Sequence, residues 1–174
     1  MSERFAVSLH RVGAGRCLSN GRGDHFDWFF AANGGESGML VTWSTPICWP
    51  LADDNLSRRL PDHRARYLEY DGEISGDRGC VQRLVTGTCR LIRHDAMYIE
   101  FVVESIAMAD SLNAPMHDHD VARLAIELCD QLAASKGDRI RLSTSADTVT
   151  NEQGSIVTST DGDDRRDFTP GRRH

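Results

Sequence analysis

No run of the 174-residue sequence reaches 18 apolar residues, so it offers no membrane-spanning helix. The opening "MSERFAVSLHRVGAGRC" lacks an apolar core of signal-peptide length. The five cysteines, Cys17, Cys48, Cys80, Cys89 and Cys129, are odd in number and form no C-x-x-C pair. This argues against a disulfide framework or a paired-cysteine zinc site and for reduced thiols. Together these absences point to a cytoplasmic protein. Excess positive charge is also missing: Lys and Arg number 20 against 26 Asp and Glu, and the net charge is −6. From Lys136 to the end the signs balance, so the body before it carries the whole deficit. Phosphate affinity rests on Lys and Arg releasing counterions, so the acidic body argues against a bulk nucleic-acid-coating role, and any nucleic-acid site would have to be local. The sequence has no Walker loop, no G-x-S-x-G and no H-E-x-x-H.

What is present reads mainly as β. "FAVSLH" (5–10), "HFDWFFA" (25–31) and "MLVTWST" (39–45) have the composition and alternation of strands. Asn33-Gly34 between the last two is a hairpin signal. "ARYLEYDG" (65–72), "GCVQRLV" (79–85), "TCRLIR" (88–93) and "MYIEFVVES" (97–105) extend the series. Short strands separated by glycine-bearing turns predict a small antiparallel β-barrel. One helix is expected at about 119–135, where Val121, Leu124, Ala125, Leu128, Cys129 and Leu132 recur at helical spacing and Gly137 follows the end. It should pack its apolar stripe on the sheet, with its other face open to a protein partner. Residues 1–136 are therefore expected to form one domain, and the polar stretch 137–174 a disordered tail.

Three groupings could carry chemistry. His25 and Asp27 stand two apart, so a strand presents both on one face, and imidazole with carboxylate suits a divalent ion such as Mn or Zn. His10, at the end of the first strand, is the natural third ligand. Around His63 and Tyr67 lie Arg58, Arg59, Arg64 and Arg66, the one locally basic patch in an acidic body and a candidate phosphate grip. "MHDHD" (116–120) reads as a helix cap, because acidic residues in a first turn are already favoured there.

The order "FAVSLH … HFDWFF … MLVTWSTP … LPDHRARYLEYDGEIS … RGCVQRLVTGT", over roughly residues 4 to 90, resembles the 3′-phosphoesterase module of bacterial DNA ligase D. The resemblance implies a small β-barrel that binds a divalent ion, usually Mn, and removes a terminal ribonucleoside and then a 3′-phosphate from DNA 3′ ends. By position it makes His10, His25 and Asp27 the metal ligands. His63 would stabilise the transition state on the phosphoryl oxygens and Tyr67 would support it; apart from the resemblance, one or more of Arg58, Arg59, Arg64 and Arg66 are expected to grip phosphate. The family carries Arg two positions after its Asp, where this chain has Phe29, and Lys after its Trp-x-x-Pro, where this chain has Ile47. The expected function is thus a metal-dependent phosphoesterase acting on DNA 3′ ends or a small phosphorylated substrate. The alternative is a catalytically degenerate barrel that serves as a protein- or nucleic-acid-binding module.

Overall fold

Alternation decides which side of each strand is buried. In β1 (Glu3–Arg11), Phe5, Val7 and Leu9 face one way; in β2 (His25–Phe30), Phe26, Trp28 and Phe30 do; in β3 (Met39–Pro46), Val41 and Trp43 follow. The three strands pair antiparallel in register, Val7 opposite Trp28 and Trp28 opposite Trp43, so these side chains form one continuous apolar surface. The computed structural model describes residues 1–12, 23–32, 38–47, 57–110 and 119–144. Its remaining strands are β4 (Arg58–Arg64), β5 (Gly72–Glu73), β6 (Cys80–His94), β7 (Tyr98–Met108) and β8 (Arg139–Ser143). A 3-10 turn, Ala65–Leu68, links β4 to β5. The ladder order is β4-β3-β2-β1-β6-β7-β8, with β5 paired to β6. The sheet curls into a half-barrel whose terminal strands, β4 and β8, approach without joining the ladder.

The helix α1 (His119–Ala134) closes the apolar side, and Val121, Ala125, Leu128 and Leu132 are buried against β6 and β7. Phe30 and Phe101 meet there with ring centroids 4.9 Å apart. Each such ring withdrawn from water contributes about 2–3 kcal/mol. Gly137, at φ +93°, turns the chain out of the helix, as its place in the sequence predicts. None of the described helices is long and apolar enough to cross a membrane. Cys80, Cys89 and Cys129 are free, and burial pushes the Cys89 thiol up to about 12, which leaves it inert at neutral pH.

The fold expected from the sequence is present, with three differences. The strand expected at 65–72 lies earlier, as β4, and the chain then winds through the 3-10 turn. It is drawn in by Asp71, whose carboxylate accepts from the Arg83 backbone N–H at 2.6 Å and from Arg83 Nε at 2.9 Å. The two strands expected at 79–85 and 88–93 are one, since Gly87 sits between Phe5 and the Ser105 carbonyl in the ladder rather than in a turn. The domain does not stop at 136. Residues 139–143 pair with β7 and bury Ile140 and Leu142, two apolar residues at strand spacing in an otherwise polar stretch. The Asn33-Gly34 turn and the tail beyond residue 144 lie outside the described residues.

Candidate metal centre

The same alternation that buries Trp28 sends Asp27 to the opposite face. Across the β1–β2 ladder, His10 stands opposite His25 and Ser8 opposite Asp27. His10, His25 and Asp27 are thereby brought together, with one ligand atom from each lying within 4.8 Å of the others. Asp27, 3% exposed, and His25, 8%, are buried, and His10 is half-buried.

The hydrogen bonds fix which nitrogens carry protons. A carbonyl oxygen can only accept, so His10 Nε2 donates to the Arg78 carbonyl at 2.9 Å, and His25 Nδ1 donates to the Gly23 carbonyl at 2.9 Å. Each neutral ring then has its lone pair on the other nitrogen. His10 Nδ1 lies 3.2 Å from Asp27 Oδ2, and His25 Nε2 lies 3.3 Å from Asp27 Oδ1. The second approach is outside hydrogen-bond geometry, which leaves the buried Oδ1 with no partner. Two lone pairs and a carboxylate turned toward one another repel unless a cation stands among them, either a proton or a metal ion. Ligands at about 2.1 Å from one ion, 90–110° apart, are spaced about 3.0–3.4 Å; each imidazole lies in that range from a different Asp27 oxygen, and the three ligand atoms lie within 4.8 Å of one another. A backbone carbonyl taking the outer N–H of each imidazole is also the usual way metal-bound histidines are oriented. This group can hold a metal ion.

Without metal, a proton fills the role in part. Burial works to lower the His10 pKa, but the Asp27 hydrogen bond, the Arg78 carbonyl and the Asp27 charge outweigh it and hold it above 6.5. Burial likewise works to raise the Asp27 pKa, and the two imidazoles outweigh it, keeping the carboxyl below 3.8. The signs give a window. The His10 contribution to stability is full below pH 6.5 and is lost as pH rises through its folded value; that of Asp27 is present above 3.8 and is lost as pH falls through its folded value. The metal-free protein should therefore be most stable at mildly acidic pH. An ion competes with the proton for the same lone pair, so its stabilising effect should be larger at pH 8 than at pH 5.5. Melting curves with and without Mn at the two pH values test this, and an equal or smaller shift at pH 8 contradicts it.

The second predicted group assembles elsewhere. His63 packs edge-on against Tyr67 at 5.2 Å between centroids, and both meet Phe29 at 5.5 Å. His63 Nδ1 donates to the Pro61 carbonyl at 2.8 Å. Among the described residues, no hydrogen bond or ring contact joins His63 or Tyr67 to the three ligands. His63 is opposite Leu40, four residues along β3 from Ser44, which faces Asp27; that is roughly 13 Å along the sheet. Phe29, buried on the ligand face two residues beyond Asp27, stands between the groups.

The four arginines also separate. Arg59 is tied to Asp62 and to the Thr42 and Leu60 carbonyls. Arg66 stacks on Tyr67 and Tyr70 at 5.6 and 5.7 Å. Arg64 is exposed at the end of β4. Arg58 is opposite Ser44, and Ser44 is opposite Asp27, so Arg58 shares a cross-strand row and a face with the Asp27 carboxylate. On the other side the row continues through Ser8 to Arg83, which Asp71 anchors. Sequence reasoning missed Ser8, although it precedes His10 by two and so shares its face. It also missed the Gly23 and Arg78 carbonyls, which have no sequence signature. The chain matches no protein-family model and no curated protein.

Proposed function

We propose that this protein is a divalent-metal-dependent phosphoesterase whose ion is held by His10, His25 and Asp27, Mn being the first candidate. One observation carries the reading: two imidazoles with their outer N–H groups taken by backbone carbonyls turn their lone pairs toward a buried carboxylate that has an unpartnered oxygen. Three protein ligands leave coordination positions for water and substrate, the pattern of catalytic rather than structural metal sites. The ion would polarise a phosphoryl oxygen and lower the pKa of a bound water. The order of sequence motifs that resembles the 3′-phosphoesterase module supports phosphoryl chemistry over other hydrolysis, with a DNA 3′ end or a small phosphorylated molecule as substrate.

The remaining roles follow from position. Arg58 lies in the cross-strand row of Asp27, two strands away, about 10 Å at 4.8 Å per strand, a gap that an arginine side chain and a bound phosphate could span between them. It is the cation assigned to the phosphoryl oxygens, in place of the Arg that Phe29 displaces. His63 and Tyr67, beyond Phe29, are assigned to the part of the substrate that extends past the reacting phosphate.

The test is hydrolysis of a 3′-phosphorylated oligonucleotide and of p-nitrophenyl phosphate by Mn-loaded protein. His25→Ala should abolish it. Arg58→Ala should lower kcat/KM about 100-fold, the cost of losing a preorganised charge-stabilising group, while Arg64→Ala should change it less than about threefold. Absence of hydrolysis with Mn, Zn and Fe(II) alike would leave a metal-binding scaffold and defeat the enzymatic reading.

A further inference from the structure

Ser8, His10, His25 and Asp27 occupy the corners of one two-by-two block on the β1–β2 ladder. Three corners are the candidate ligands. The fourth, Ser8, is 0% exposed, and its hydroxyl has no hydrogen-bond partner. A buried hydroxyl left unpaired costs about 1–3 kcal/mol, so such groups are few and call for a reason. Among the described residues, Asp27 Oδ1, on the residue directly across the ladder, is likewise buried and unpaired on that face.

Two neighbours of Ser8, Arg83 and His10, are committed elsewhere. Arg83, opposite it on β6, donates to Asp71 Oδ2 from Nε at 2.9 Å and from Nη2 at 2.8 Å. The nitrogens of His10 face Asp27 and the Arg78 carbonyl. A β-bulge falls at this point: the β1–β6 register shifts between Val7 and Ser8, leaving Leu84 without a partner on β1. The bulge sends both Leu84 and Val85 into the core and brings Arg83 opposite Ser8 on the ligand face. Bulges of this kind re-aim side chains beside functional sites.

A hydroxyl supplies one proton to donate. Beside two imidazoles and a carboxylate it is a poor ligand for the ion itself and a suitable donor to an oxygen that the ion carries. We propose that Ser8 is a positioning residue of the centre, its hydroxyl donating to the ion-bound water. This rests on the metal reading above, and it adds a fourth member that neither charge nor ligand chemistry would identify.

The experiment is Mn titration of the metal-free full chain by calorimetry, with melting curves, for wild type, Ser8→Ala and Ser8→Thr. Removing an unpartnered group should leave the metal-free Ser8→Ala protein melting at or above the wild-type temperature. Its Mn Kd should weaken about tenfold, as for loss of other groups supporting a bound metal. Ser8→Thr, which keeps the hydroxyl, should restore the affinity. An Mn Kd for Ser8→Ala within about twofold of wild type would overturn the proposal. So would a lowered melting temperature of the metal-free variant, because it would show that the hydroxyl already serves the fold. Wild-type protein that takes up no Mn would instead overturn the metal reading, and this inference with it, so the two failures are told apart by which protein fails to bind.

Discussion

Titrating the metal-free protein with Mn should raise its melting temperature by about 5–10 °C once free metal exceeds Kd roughly a hundredfold. The figure follows from linkage. A ligand that binds only the native state contributes about 2.7 kcal/mol at that excess, and a chain of this size shifts by about 2–4 °C per kcal/mol. His25→Ala and Asp27→Ala should each remove the shift. The ligands come from two strands that are hydrogen-bonded on both sides, β1 between β2 and β6 and β2 between β1 and β3, so the site is already formed before metal arrives. Little of the binding energy then goes into ordering the protein. A flat melting temperature for wild type across Mn, Zn and Fe(II) would take the ion away from His10, His25 and Asp27, and the phosphoesterase reading with it.

Gly87→Ala should destabilise the protein by about 3 kcal/mol, or roughly 10 °C, without touching the centre. Gly87 lies inside β6, paired to Phe5 on β1 and to Ile106 on β7, so its backbone is held from both sides. An added Cβ would collide with the Ser105 carbonyl and come within 2.8 Å of the Phe5 ring. A side-chain tip can rotate away, whereas a carbonyl in a ladder moves only if the strand does. Phe5 in turn stacks near Phe30 and Phe101, so displacing it would reach the centre of the core. Thermal melting of the variant checks this, and a loss below about 1 kcal/mol would show that the β6–β7 ladder yields more readily than its geometry implies. Metal affinity per folded molecule should be unchanged.

Gly87 also illustrates what can be read from sequence and what cannot. A glycine between two short apolar runs ordinarily marks a turn, and "VTGTC" predicts a break there. Only the neighbouring strands reveal that the glycine is a place where another backbone comes close. The polar stretch after Lys136 misleads for a related reason. Ile140 and Leu142 are two apolar residues among charges, too few to announce a strand until β7 is present to pair with them. The ligand triad is the reverse case. Strand periodicity is a local property, so His25 and Asp27 on one face follows from their spacing, and His10 follows once β1 and β2 are neighbours. The separation of His63 and Tyr67 from that triad was hidden, because it depends on a β3–β4 register that shifts between Leu40 and Thr42. Likewise, the place of Arg58 in the row of Asp27 depends on register and not on residue type.

The place of β4 at the end of the ladder divides the proposed centre into two parts of unequal rigidity. The metal ligands ride on interior strands, where any shift breaks hydrogen bonds on two sides. Arg58 rides on a terminal strand, bound to one neighbour and merely close to β8. Evolution can therefore slide, bend or re-charge the strand that would grip substrate while leaving the ion's coordination intact. On the proposed function, substrate preference could change through β4 alone while the His10, His25 and Asp27 group stays as the fixed part.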